Sequence, residues 1–127
     1  IMLRLKSDLI EMIQTCFSGS ISDYKVEWDQ RSAMGIVMSS SGYPESYETG
    51  KVISGLDAFS DKDNTKVFHS GTRLENNDIL TNGGRVLCVT ALGDDLKQSS
   101  LNGYSGVQEI DWDGKYYRKD IGFRVIK

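Results

Sequence analysis

Two short stretches carry residue types suited to holding an anionic group. In Thr81-Asn82-Gly83-Gly84-Arg85, two glycines free to adopt positive φ let the backbone come close to a ligand, and Arg85 supplies charge. In Tyr117-Arg118-Lys119-Asp120-Ile121-Gly122, two cations and a carboxylate stand beside another glycine. A plainer reading stands next to this one. It is a hairpin turn entering a core strand, with Arg85 and the Arg118 cluster as solvated surface charge. His69 is the only histidine, and it sits beside apolar residues with no second His or Cys nearby. It reads as a structural residue rather than a zinc ligand.

These residues need a scaffold, and the composition supplies one. The chain has 127 residues, 39% hydrophobic and 26% charged, which fits one domain with a modest core. A net charge of -3 offers no basic stripe for nucleic acid. No apolar run approaches the roughly 20 residues of a membrane helix, and no signal peptide is evident. Cys16 and Cys88 lie in apolar sequence without a metal or CxxC pattern, so we expect buried free thiols of a reducing compartment. The chain starts with Ile1, and we expect it to be a piece of something longer.

The elements follow from periodicity. Arg4 to Phe17 predicts a helix with Leu5, Leu9, Met12, Ile13 and Cys16 on one face, started near Ser7 or Asp8 and ended by Gly19. Lys25 to Trp28, Ser32 to Ser39 and Lys51 to Leu56 read as strands, the second of them buried. Ser39 to Gly50 is a loop carrying Tyr43-Pro44 and Tyr47, either a connector or a binding loop. Asn76-Asn77 suits a tight turn. Arg85 to Gly93 is a buried strand, and Asp94 to Val107 a second helix weakened by Gly103 and Gly106. Lys115-Tyr116-Tyr117 opens a last strand. Two helices and six to eight short, hairpin-connected strands give an α+β fold with a mostly antiparallel sheet.

Five stretches, in this order and spacing, carry a family likeness. They are Leu5-Lys6-Ser7-Asp8-Leu9, Ser41-Gly42-Tyr43-Pro44, Val67-Phe68-His69-Ser70-Gly71-Thr72, Thr81 through Gly93, and Tyr117 through Arg124. Together they resemble the C-terminal domain of the phosphoribosylamine–glycine ligase (glycinamide ribonucleotide synthetase) family of ATP-grasp enzymes, over essentially the whole chain. The Gly-Gly-Arg-Val-Leu and Arg-Lys-Asp-Ile-Gly segments are the most specific parts. Ser70 departs from the family, which more often has alanine there.

The resemblance implies a cytoplasmic ligase of purine biosynthesis that joins glycine to 5-phosphoribosylamine. ATP forms a glycyl phosphate that the amine attacks, giving ADP, phosphate and glycinamide ribonucleotide. It also implies that ATP and magnesium are bound by the preceding ATP-grasp domain, with residues 1–19 leading out of it and residues 1–127 forming a single substrate-side domain. Its partners would be the small substrates and the enzyme's own ATP-grasp domain, with no nucleic acid and no membrane. No catalytic residue and no metal ligand is expected in this chain, which alone should be inactive.

On that reading Arg85 and Arg118 would grip the ribosyl phosphate, whose oxygens match the planar fork of a guanidinium. The N–H groups of Gly83 and Gly84 and the charge of Lys119 would assist. Asp120 would hold Arg118 or accept from the ribose or the amine. Strand neighbours point to opposite faces, which favours Arg118 over Lys119. The alternative is a non-catalytic platform packed on the ATP-grasp core, its arginines paired with carboxylates such as Asp120 or Glu109. Where the arginines point decides between the two.

Overall fold

The computed structural model describes residues 1–126. In chain order the elements are α1 (Leu9–Ser18), β1 (Ser32–Ser40), β2 (Thr65–His69), β3 (Thr72–Glu75), β4 (Asp78–Thr81), β5 (Arg85–Gly93), α2 (Leu96–Glu109) and β6 (Lys115–Tyr117). Four strands form an antiparallel sheet in the order β2-β5-β1-β6, and β3 and β4 form a hairpin of their own. The expected α+β class with antiparallel strands is what the chain adopts.

The two long apolar strands occupy the centre of the sheet because each has a neighbour on both sides to satisfy its backbone. On one face Met34, Ile36 and Met38 of β1 stand opposite Ala91, Val89 and Leu87 of β5. All six are buried, and full burial of a large apolar side chain stabilises by about 1.5–3 kcal/mol. α2 covers this face, capped by Asp95, whose carboxylate accepts from the Gln98 N–H at 2.7 Å. The two glycines that weaken α2 as a helix are its seat. Gly103 lies over Ile36 and Ala91, and Gly106 over Val89, Phe59 and Thr65. Among the described residues the opposite face carries no helix, and Val37, Phe68 and Tyr116 remain exposed on it.

The β3–β4 turn is made by Asn76 and Asn77, both at positive φ (49° and 73°), as a two-residue hairpin requires. Beside β4 runs the segment 50–54. The Thr81 N–H donates to the Lys51 carbonyl at 2.8 Å, and the Ile53 N–H to the Ile79 carbonyl at 2.8 Å. The strand expected over Lys51 to Leu56 is thus only two isolated bridges, Val52 to Leu80 and Ser54 to Asp111. Lys25 to Trp28 likewise reduces to one bridge between Trp28 and Leu5.

The first helix starts later than its apolar spacing suggests. Asp8 caps it by accepting from the N–H groups of Ile10 and Glu11, and Gly19 ends it in the left-handed region. None of its residues is buried. The apolar stripe is present but stays uncovered among the described residues. For the same reason Cys16 is exposed, and Cys88, on the sheet face without a helix, is only partly covered. Neither is the buried thiol that its apolar neighbours suggested.

Candidate functional site: the concavity around Arg85

β5 begins with an irregularity that aims its arginine. Arg85 pairs with Ser39 and Leu87 with Met38, so Val86 is an extra residue and the ladder bulges there. Val86 and Leu87 both enter the core with no exposed surface. Arg85 is thereby turned to the uncovered face, where it shares an open concavity of about 510 Å³ with Val37, Tyr43, Ser70, Gly71 and Gly84. Its guanidinium makes no hydrogen bond or ion pair among the described residues.

The turn beside it is built by close approach. Gly83 and Gly84 do not take positive φ, in contrast to the freedom read from their types. A side-chain carbon at Gly84 would overlap the Tyr43 ring, and one at Gly71 would lie 2.6 Å from the Arg85 carbonyl oxygen. Ser40 fastens the assembly. Its N–H donates to the Gly84 carbonyl at 2.8 Å, and its hydroxyl donates to the Gly83 carbonyl at 3.0 Å. Its own carbonyl accepts from the Tyr43 N–H at 3.2 Å. The N–H groups of Gly83 and Gly84 donate to no acceptor among the described residues.

Arg118, Lys119 and Asp120 line a second concavity of about 410 Å³ with Tyr116 and Tyr117. β6 ends at Tyr117, so the alternation of a strand does not govern these residues, and Arg118 and Lys119 border the same space. Arg118 grips Asp120 with two hydrogen bonds, Nε to Oδ1 at 2.8 Å and Nη2 to Oδ2 at 2.6 Å. That contact holds the Asp120 carboxyl below its ordinary range and pushes the Arg118 guanidinium up. Both side chains remain well exposed, at 64% and 49%. Tyr104 of α2 stitches the turn by donating its hydroxyl to the Arg118 carbonyl at 2.9 Å and accepting from the Ile121 N–H at 3.0 Å.

The register sets Arg85, Ser39 and Tyr116 in one row across three strands. The two concavities therefore lie at the same end of the sheet, about 10 Å apart by strand spacing. Arg85 faces an open concavity; Arg118 faces a carboxylate. His69 touches neither, its Nδ1 lying 2.9 Å from the Thr72 hydroxyl. Among the described residues no group of three or more His, Cys, Asp and Glu could hold a metal ion. Residue type alone does not mark Tyr43 or Ser70 as site residues. Gly71 and Gly84 were the available signal, because each marks a place where the 70–71 and 43–47 segments come within contact of the Arg85 turn.

The fold and the site together define an α+β domain in which Arg85, unpaired among the described residues, stands in a glycine-lined concavity. The chain belongs to the family of the phosphoribosylglycinamide synthetase C domain, whose profile matches residues 33–124. It is 48% identical over 126 residues to a phosphoribosylamine–glycine ligase of Allochromatium vinosum, covering 99% of this chain and 29% of that protein. Against the enzyme of the same name from Escherichia coli O157:H7 it is 44% identical over 128 residues, covering 100% of the chain and 30% of that protein. The crystal structure of phosphoribosylamine–glycine ligase from Thermotoga maritima shares the fold, with a TM-score of 0.68 and 24% identity over 88% of this chain and 28% of that one. The chain thus spans less than a third of the length of these relatives.

Proposed function

We propose that this chain is the C-terminal part of a ligase joining glycine to 5-phosphoribosylamine, with ATP converted to ADP and phosphate and glycinamide ribonucleotide formed. Its task there is to close over the ATP-grasp core and hold the ribosyl phosphate. The single observation that carries this reading is the unpaired Arg85 in its open concavity. A phosphomonoester has charge near -2 at neutral pH, and a free guanidinium matches two of its oxygens at once. Gly83 and Gly84 place two unengaged N–H groups within two residues of it. Arg118, its fork engaged by Asp120, and Lys119 supply a second, weaker cationic rim.

ATP and magnesium belong to the preceding part of the enzyme. The residues here do not fit them, since the described residues offer neither a metal cluster nor a glycine-rich loop bearing a phosphate lysine. The same division assigns residues 1–19, with their unburied helix, to the exit from the ATP-grasp domain. The setting we infer is the cytoplasm; no helix among the described residues is long and apolar enough to cross a membrane.

A platform reading draws on two other observations, the carboxylate already gripped by Arg118 and the uncovered apolar sheet face. The experiment that separates them is steady-state kinetics of the full-length ligase with Arg85→Ala. A rise in KM for 5-phosphoribosylamine of about tenfold or more, with KM for ATP unchanged, supports the phosphate role. An unchanged KM for the amine leaves only the platform.

A further inference from the structure

We propose that Tyr43 is the sugar-contacting wall of the Arg85 site, so that the site selects the phosphomonoester of a small sugar over free phosphate. This rests on the phosphate role of Arg85 given above and extends it to the other half of the ligand.

The concavity has one charged group, Arg85, one aliphatic hydroxyl, Ser70, one phenol ring, Tyr43, and one aliphatic patch, Val37. A single arginine answers a single phosphate; a polyphosphate chain would call for several cations. What remains is an apolar and aromatic lining beside the cation. Such a lining buries the C–H face of a sugar ring and does nothing for an isolated anion.

Tyr43 is built into place from three directions. Its ring lies against Gly84, where no side chain larger than hydrogen fits. Its backbone N–H is tied to Ser40, the residue that also holds both glycine carbonyls of the Arg85 turn. The Tyr47 ring meets it edge-on at 5.9 Å between centroids, with an interplanar angle of 62°. Yet 40% of Tyr43 is exposed, and its hydroxyl has no partner among the described residues. A ring fixed this firmly and left open beside a free arginine presents a face to a ligand.

The test measures the affinity of the full-length ligase for ribose 5-phosphate and for inorganic phosphate by calorimetric titration. The wild-type protein and the Tyr43→Ala, Tyr43→Phe, Tyr43→Leu and Arg85→Ala variants are compared. Tyr43→Ala should weaken ribose 5-phosphate by about three- to tenfold and leave inorganic phosphate nearly unchanged, erasing the preference for the sugar. Tyr43→Phe should keep the preference. Tyr43→Leu still covers Gly84 but has no ring and should lose it, and it carries the test if the alanine variant does not fold. A preference that survives in Tyr43→Leu overturns the inference, as does equal weakening of both ligands. If Arg85→Ala leaves both affinities unchanged, the phosphate role falls first; if Arg85→Ala weakens both and the tyrosine variants leave the preference intact, only the role of Tyr43 falls.

Discussion

Arg118 spends two donors on Asp120, Nε on Oδ1 at 2.8 Å and Nη2 on Oδ2 at 2.6 Å. A guanidinium so engaged still has donors to offer, but its fork is turned to a carboxylate rather than to an incoming ligand. Arg85, two strands away, has no such partner among the described residues. By residue type and setting the two arginines are equivalent, and their geometry sets them apart.

The consequence for kinetics is an unequal pair. Arg118→Ala in the full-length ligase should raise KM for 5-phosphoribosylamine less than about fivefold, the scale of an exposed charge contact. Arg85→Ala should exceed it. Steady-state rates at varied amine concentration decide the order, and an Arg118 effect equal to or larger than that of Arg85 would reverse the assignment of the primary contact.

Tyr104 should act on the Arg118 turn without touching a ligand. Tyr104→Phe removes the hydroxyl that bonds the Arg118 carbonyl and the Ile121 N–H, each bond contributing about 0.5–1.5 kcal/mol. Amide hydrogen exchange should show faster exchange at Ile121, with little change along β5. Unaltered exchange at Ile121 would mean that the turn holds without α2.

Much of this architecture is legible in the chain because the hydrophobic pattern is strong where the core is. β1 and β5 read as buried strands from their near-continuous apolar runs. Asn76-Asn77 reads as a turn from its side chains. Other features depend on partners that no local pattern names. The edge segments Lys25 to Trp28 and Lys51 to Leu56 carry strand-like residues, but only scattered bridges form beside them. Gly103 and Gly106 look like flaws in a helix until Ile36 and Val89 are placed beneath them. Gly83 and Gly84 suggest a positive-φ turn, whereas Gly84 leaves room for the Tyr43 ring and Gly83 for the close approach of Gly71. The bulge at Val86 that directs Arg85 is a relation between two strands, and one strand's sequence does not contain it.

The helix seat gives a stability prediction. A side-chain carbon at Gly106 would lie 3.0 Å from Val89 Cγ1, 3.2 Å from Phe59 Cε1 and 3.3 Å from Thr65 Cγ2. Gly106→Val should therefore lower stability by about 1–3 kcal/mol, the usual range for overpacking, despite removal of a helix glycine. Thermal unfolding of the variant should show a lower midpoint. An unchanged or higher midpoint would mean that α2 can lift off the sheet at little cost.

A pH dependence follows from the start of β1. Arg31 bonds Asp29 through its side chain, with Nη2 to Oδ2 at 2.6 Å, and this holds the Asp29 carboxyl well below its usual range. A carboxylate depressed in the folded state stabilises it above the unfolded pKa, near 4, and that contribution is lost as pH falls further. The gap in thermal midpoint between wild type and Asp29→Asn should thus be full at pH 7 and shrink below about pH 4. A gap independent of pH would show that the ion pair contributes nothing to folding.

The account rests most heavily on a phosphate held by Arg85. Calorimetric titration of glycinamide ribonucleotide into the full-length ligase and its Arg85→Ala variant measures that contact directly. A loss of about 1.5–3 kcal/mol of binding free energy, the range for a hydrogen bond to a charged group, is the predicted result. Equal affinity in the two proteins, with the variant folded, would contradict it and leave Arg85 as surface charge on a packing domain.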